Sequence, residues 1–240
     1  MAKNSGTVGK KSLYIPSLDG IRAIAIITVL LSHTGYEDYI PGRAGVTIFF
    51  FLSGYLITRL LLLENTKNGY IDIGKFFARR AVRILPPILI ILPLVYLLAG
   101  LDFVPGGVSW ESFLAQFFYF ANYFEIATDG SQAKPAGTII LWSLAIEEHF
   151  YLLYPLMFVP FLKKFSYKKI IYIFVGLCVV SLLWRYFLSI QDGFIEDRTA
   201  FGTDTRFDSI LFGCILAMTG LTDRTENINP KKSRFMVGVF

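Results

Sequence analysis

Apolar residues along this chain fall in long unbroken runs rather than at helical or alternating spacing. Runs at 21–35, 45–63, 84–101, 139–161, 170–190 and 208–221 predict six helices that face lipid. The first and last are short for a bilayer. Pro16 and Gly20 argue against a regular helix that extends the first run backward. A further stretch, 112–124, is shorter and is interrupted by Gln116 and Asn122. The expected fold is an all-α polytopic transmembrane bundle of about six spans.

Composition sharpens this reading. The chain is 54% hydrophobic and 17% charged, with a mean hydropathy of +0.55, which excludes a soluble domain, an intrinsically disordered chain and a disulfide scaffold. Cys178 and Cys214 lie inside apolar runs without metal-ligand neighbours and read as small buried hydrophobes.

Charge then sets the direction. A net charge of +5 in a soluble protein would raise nucleic-acid binding; here its meaning is topological. With the N-terminus cytoplasmic, segments 1–20, 58–83, 162–169 and 222–234 hold 17 of the 23 Lys and Arg, against Arg43, Lys134, Arg198 and Arg206 outside. This parity requires that 112–124 does not cross, so it is expected as a re-entrant or interfacial segment on the outer side. Residues 1–12 read as a disordered cytoplasmic tail and 13–240 as the membrane domain. After Lys231, Lys232 and Arg234, the run Phe235–Phe240 begins what looks like a further helix, so the domain reads as cut short at its C-terminal end.

Ionisable groups inside spans are costly and mark candidate sites. Arg22 and His33 are eleven residues apart, almost three whole turns, so they share one face of the first helix about 16 Å apart. A snorkelling Arg22 and a helix-capping His33 are the plain alternatives. On the fourth span Ser143, Glu147, Tyr151 and Tyr154 form one polar and aromatic stripe, with Glu148 beside it. Glu147 falls in the outer half of the membrane near the depth of His33. A carboxylate and an imidazole there would make an acid/base pair, or a structural contact between helices. No metal-ligand spacing joins these groups to His149, and no metal is expected.

On the cytoplasmic side Arg79, Arg80 and Arg83 share a helix surface. Three arginines there suit bidentate phosphate recognition as well as simple anchoring. On the outer side, Asp208 is expected to cap the sixth helix, and Arg206 is a candidate for binding a hydroxyl-rich ligand.

These residues fall into stretches that resemble the membrane-bound acyltransferase-3 family of sugar and polysaccharide O-acyltransferases. The stretches are Ser17-Leu-Asp-Gly-Ile-Arg22 with His33, Gly45 to Tyr55, Arg80-x-x-Arg83, Trp142-Ser-Leu-x-x-Glu147-x-x-Phe-Tyr151 and Thr203-Asp-Thr-Arg-Phe-Asp208. The resemblance implies transfer of an acyl group, most simply acetyl, from cytoplasmic acyl-CoA (acetyl-CoA) to a carbohydrate or cell-envelope glycan outside. It implies residence in a bacterial cytoplasmic membrane. It also implies that Arg80 and Arg83, with Arg22 and secondarily Arg79, hold the CoA, that His33 is the base and Glu147 its partner, and that Trp142, Ser143 and Arg206 stand on the acceptor side. Family members are longer, with about ten spans. The competing reading is a polytopic transporter or flippase, for which a phosphate-binding arginine turn has no use.

Overall fold

The structure, a computed structural model, describes residues 16–36, 39–191 and 196–226, the last six by backbone alone. The basic tail, the Lys231–Arg234 stretch and the run at Phe235 lie outside the described residues. Among the described residues the chain is helical: α1 (Pro16–Ser32), α2 (Gly42–Asn68), α3 (Ile73–Gly100), α4 (Trp110–Phe117), α5 (Ala121–Thr128), a 3-10 turn (Thr138–Ile140), α6 (Leu141–Lys164), α7 (Tyr167–Ser189), α8 (Glu196–Phe201) and α9 (Thr203–Glu226). The single β-bridge found there joins Gly106 and Pro135.

Local chemistry explains the ends of these helices. Pro16 opens α1 instead of preventing it, because the first helical position needs no N–H and a fixed φ suits it. That corrects the later start expected from sequence. Asp72 caps α3 by accepting from the Lys75 backbone N–H at 2.9 Å, and Ser109 caps α4 in the same way. The Lys75 N–H and the ammonium that follows it hold the Asp72 carboxyl below its usual pKa. Gly69 ends α2 in the left-handed region at φ 77°. The stretch 112–124 is two short helices broken at residues 118–120. α3 stays helical through Pro86, Pro87 and Pro93.

Among the described residues three helices, α2, α3 and α7, are long and apolar enough to cross a membrane, against the six spans expected. α1 has 17 residues, and Glu147, Glu148 and His149 lower the apolarity of α6. α3 and α7 leave Ile90, Ile91, Leu97, Val180, Leu182 and Leu183 exposed, as lipid-facing helices do.

The core sits among α2, α6, α7 and α9. Phe150, Tyr154 and Phe158 stack along one face of α6 with ring centroids 4.7 and 4.9 Å apart. The Tyr154 hydroxyl meets Thr58 of α2 at 2.7 Å. α2 and α9 cross at glycines. A Cβ on Gly54 would collide with the Ile210 carbonyl, and one on Gly213 with the Phe51 carbonyl. The Cys214 thiol donates to the Gly54 carbonyl at 3.4 Å, using the same close approach. Gly213→Leu is therefore expected to force the helices apart and lower thermal stability by more than the 1–3 kcal/mol typical of overpacking. Thermal unfolding in detergent, followed by tryptophan fluorescence, checks this; an unchanged midpoint contradicts the close crossing.

Asp208 does not cap α9. The helix starts at Thr203, five residues before Asp208, and Asp208 instead meets Arg185 of α7 at 2.5 Å. Asp204 meets Arg198 at 2.5 Å and accepts from the Trp184 indole at 2.7 Å. Acids near the start of α9 are thus used to pin α7 and α8.

Candidate active site

A cavity of about 750 Å³ opens between α1, α2, α3 and α6, with the 3-10 turn and Tyr119 on its far side. Its wall along α3 runs from Arg80 to Val95, about 22 Å at 1.5 Å per residue. Arg22, Arg80 and Arg83 bring three guanidinium groups to it, while Glu147, Glu148 and Tyr151 face it from α6 and Ser53 from α2. The rest of the lining is apolar, with Ile84, Ile88, Leu92 and Leu144.

The charged groups are arranged by the helix repeat. Glu147 and Tyr151 are one turn apart, and the Tyr151 hydroxyl donates to Glu147 Oε2 at 3.1 Å. The Arg80 guanidinium carbon lies over the Tyr151 ring, 3.3 Å from its centroid. Arg80 Nε is buried without a hydrogen-bond partner, as is Glu148 Oε1. The cations nearest in effect to Glu147 are Arg80 and Arg22. Charge is therefore gathered and partly left unsatisfied around an otherwise apolar space, an arrangement that costs free energy and suits the recognition of a polar ligand.

The structure brings Arg22, Arg80, Arg83 and Glu147 together and leaves other predicted residues apart. Arg79 turns away and meets Glu64 at 3.1 Å. Trp142 is buried against Phe50 and Phe201. Ser143 donates to the Ile140 carbonyl at 2.9 Å. Arg206 donates to Thr47 at 3.0 Å, with its guanidinium above Phe50. None of these four lines the cavity.

His33 is also outside it, exposed in the turn that follows α1. Its Nδ1 sits 2.8 Å from the Val29 carbonyl. A carbonyl oxygen only accepts, so Nδ1 carries a proton and Nε2 is the nitrogen left facing outward for other partners. Glu147 bonds Tyr151 rather than His33.

Tyr119 and Thr138 were not legible as site residues. Tyr119 lies between α4 and α5 and Thr138 opens the 3-10 turn, where no long helical period marks them, and bonds from other elements hold Thr138 in place. Tyr96 donates to Gln116 at 3.2 Å, Gln116 donates to Thr138 at 3.0 Å, and Thr138 donates to the Pro135 carbonyl at 2.9 Å. Beside it, half-buried Lys134 and buried Glu125 form a 2.8 Å ion pair.

Comparison with known proteins gives a consistent picture. The family model described as an acyltransferase domain matches residues 15–239. The peptidoglycan O-acetyltransferase OatA of Listeria monocytogenes is 35% identical over 233 residues, which cover 94% of this chain and 37% of that protein. The O-acetyltransferase OatA of Staphylococcus aureus strain NCTC 8325 is 37% identical over 209 residues, covering 85% of this chain and 34% of that protein. The chain thus spans between a third and two-fifths of the length of these relatives. No solved structure matches it.

Proposed function

The chain belongs to the acyltransferase family and is an integral membrane protein, and from that premise we propose that it transfers an acetyl group from acetyl-CoA to a hydroxyl of a cell-envelope glycan. The observation that carries this reading is one cavity that joins three arginines to two glutamates along about 22 Å of α3. At its cationic end Arg80 and Arg83, with Arg22, would hold the phosphates of CoA by charge-assisted hydrogen bonds. The thioester arm would lie along Ile84, Ile88 and Leu92, and the acceptor would enter at the far end. Arg79, paired with Glu64, would act only through the local field.

His33 would take the proton of the attacking hydroxyl through Nε2, and Glu147 would balance the imidazolium that forms. That assignment requires the outer end of α1 to approach the cavity. Support for such movement is that α1 packs against α2 and that Ala25 is its one buried residue among those described. Arg206, Trp142 and Ser143 would support the acceptor side from behind the cavity wall.

In the proposed topology the N-terminus is cytoplasmic, in a bacterial inner membrane. α1, α6 and α9 cross together with α2, α3 and α7, and α4 and α5 lie at the outer surface. A single cysteine introduced at the exposed Gln132 should react with an impermeant maleimide from outside, and one at Lys168 only after permeabilisation. Equal reaction of both in intact cells would overturn the topology. The activity itself is tested with purified protein in nanodiscs: CoA release should accompany acetyl gain on the glycan. Glycan transport without thioester turnover would favour a transporter instead.

A further inference from the structure

We infer that the Tyr119 hydroxyl and the Glu148 carboxylate form a paired site that binds a hydroxyl of the acceptor sugar. This assignment rests on the acyltransferase reading, and it names the end of the cavity at which the glycan is held.

Tyr119 follows α4 with φ +60°, in the left-handed region. Its N–H reaches the Gln116 carbonyl at 3.3 Å, and the Phe120 N–H reaches the Ala115 carbonyl at 2.7 Å. This pair of bonds is the helix-terminating motif whose left-handed position is usually glycine, because a Cβ is strained there. A bulky aromatic at that place is uncommon. The strain coincides with a second cost: the Tyr119 hydroxyl is buried without a hydrogen-bond partner. A glycine would relieve both. A residue that carries two penalties and lines the cavity has the signature of a binding group held ready for a ligand.

Glu148 supplies the complement. It lines the same cavity, its Oε1 is buried and unpartnered, and it is the charge that acts on Tyr119. Burial first, and then that neighbouring carboxylate, push the Tyr119 phenol up to about 12, so it is a neutral donor at physiological pH. One unfilled donor and one unfilled acceptor facing a shared space call for a group that both accepts and donates. An alcohol does so. A fully ionised phosphate has no proton to give, whereas a sugar hydroxyl can accept from Tyr119 and donate to Glu148 at once. The nearby Leu92, Val95 and Leu141 offer apolar surface to the C–H face of a sugar ring.

The test uses the full chain in nanodiscs and measures two affinities by calorimetry, for a soluble tetrasaccharide of β-1,4-linked N-acetylglucosamine and for acetyl-CoA. Tyr119→Phe removes only the hydroxyl. It should weaken tetrasaccharide binding by roughly three- to tenfold, the value of one neutral hydrogen bond. Acetyl-CoA affinity should not change, and the unfolding midpoint should be no lower than that of the wild type, since a buried unpaired hydroxyl is lost. Glu148→Gln should weaken the tetrasaccharide by a similar or larger factor. If the wild type does not bind the tetrasaccharide, or if both variants bind it as the wild type does, the pair is not an acceptor site. If acetyl-CoA is neither bound nor turned over while both variants lose tetrasaccharide affinity, the glycan site stands and the acyltransfer reading falls.

Discussion

Replacing Arg80 and Arg83 together by alanine should lower acetyl-CoA affinity by roughly 10²- to 10⁴-fold. Each guanidinium is expected to give a charge-assisted hydrogen bond worth roughly 1.5–3 kcal/mol, and each 1.4 kcal/mol is about tenfold in affinity. The two single variants should differ. Arg83 is exposed at the cavity rim, so Arg83→Ala removes a ligand contact and little else. Arg80 lies over Tyr151 and beside two glutamates, so Arg80→Ala also leaves buried negative charge uncompensated and should cost stability. Arg83→Lys keeps the charge but loses the planar fork, and it should still bind more weakly than the wild type. Titration calorimetry on protein of confirmed fold decides the matter. Wild-type affinity in the double variant would return the cluster to membrane anchoring.

His33→Ala should reduce acetyl transfer by roughly 10²- to 10⁴-fold, the usual range for general-base assistance, with acetyl-CoA binding intact. Glu147→Gln should cost less, because the amide still accepts a hydrogen bond while losing the charge that balances an imidazolium. The pair can be examined as a unit. His33 is exposed and Glu147 faces the cavity, so joint action needs α1 to shift, and it predicts strong non-additivity in the double variant. Losses that simply multiply would mean that the two residues serve separate steps. Full activity in His33→Ala would remove the imidazole from the mechanism and leave the cavity glutamates as the candidate bases.

Much of this site could be read from spacing alone, for a simple reason. Arg80 and Arg83, and Glu147 and Tyr151, are separated by three or four residues on single helices, and the helix repeat places such pairs on one face. The same logic misled where contacts between helices decide. Tyr154 belongs to the stripe of Ser143, Glu147 and Tyr151 and faces the interior as that stripe predicts, but it joins the core with Thr58 and does not line the cavity. Asp208 looked like a cap, but the helix begins five residues before it and Arg185 claims its carboxylate. Arg22 and His33 share a face by periodicity, but only Arg22 lines the cavity, because that space ends before the turn in which His33 sits.

By itself the sequence determined that the chain is a bundle of apolar helices, where its cations lie and which family its motifs resemble. Each of these follows from residue type and local period, which need no knowledge of the fold. The tertiary structure alone decided that Arg22, Arg80, Arg83, Glu147 and Glu148 share one cavity. It also decided that α2 and α9 meet at Gly54 and Gly213, and that a strained Tyr119 turns its hydroxyl inward. Those outcomes depend on which helices pack together and how closely. Packing is set by the whole set of contacts at once, so no single stretch of sequence contains it.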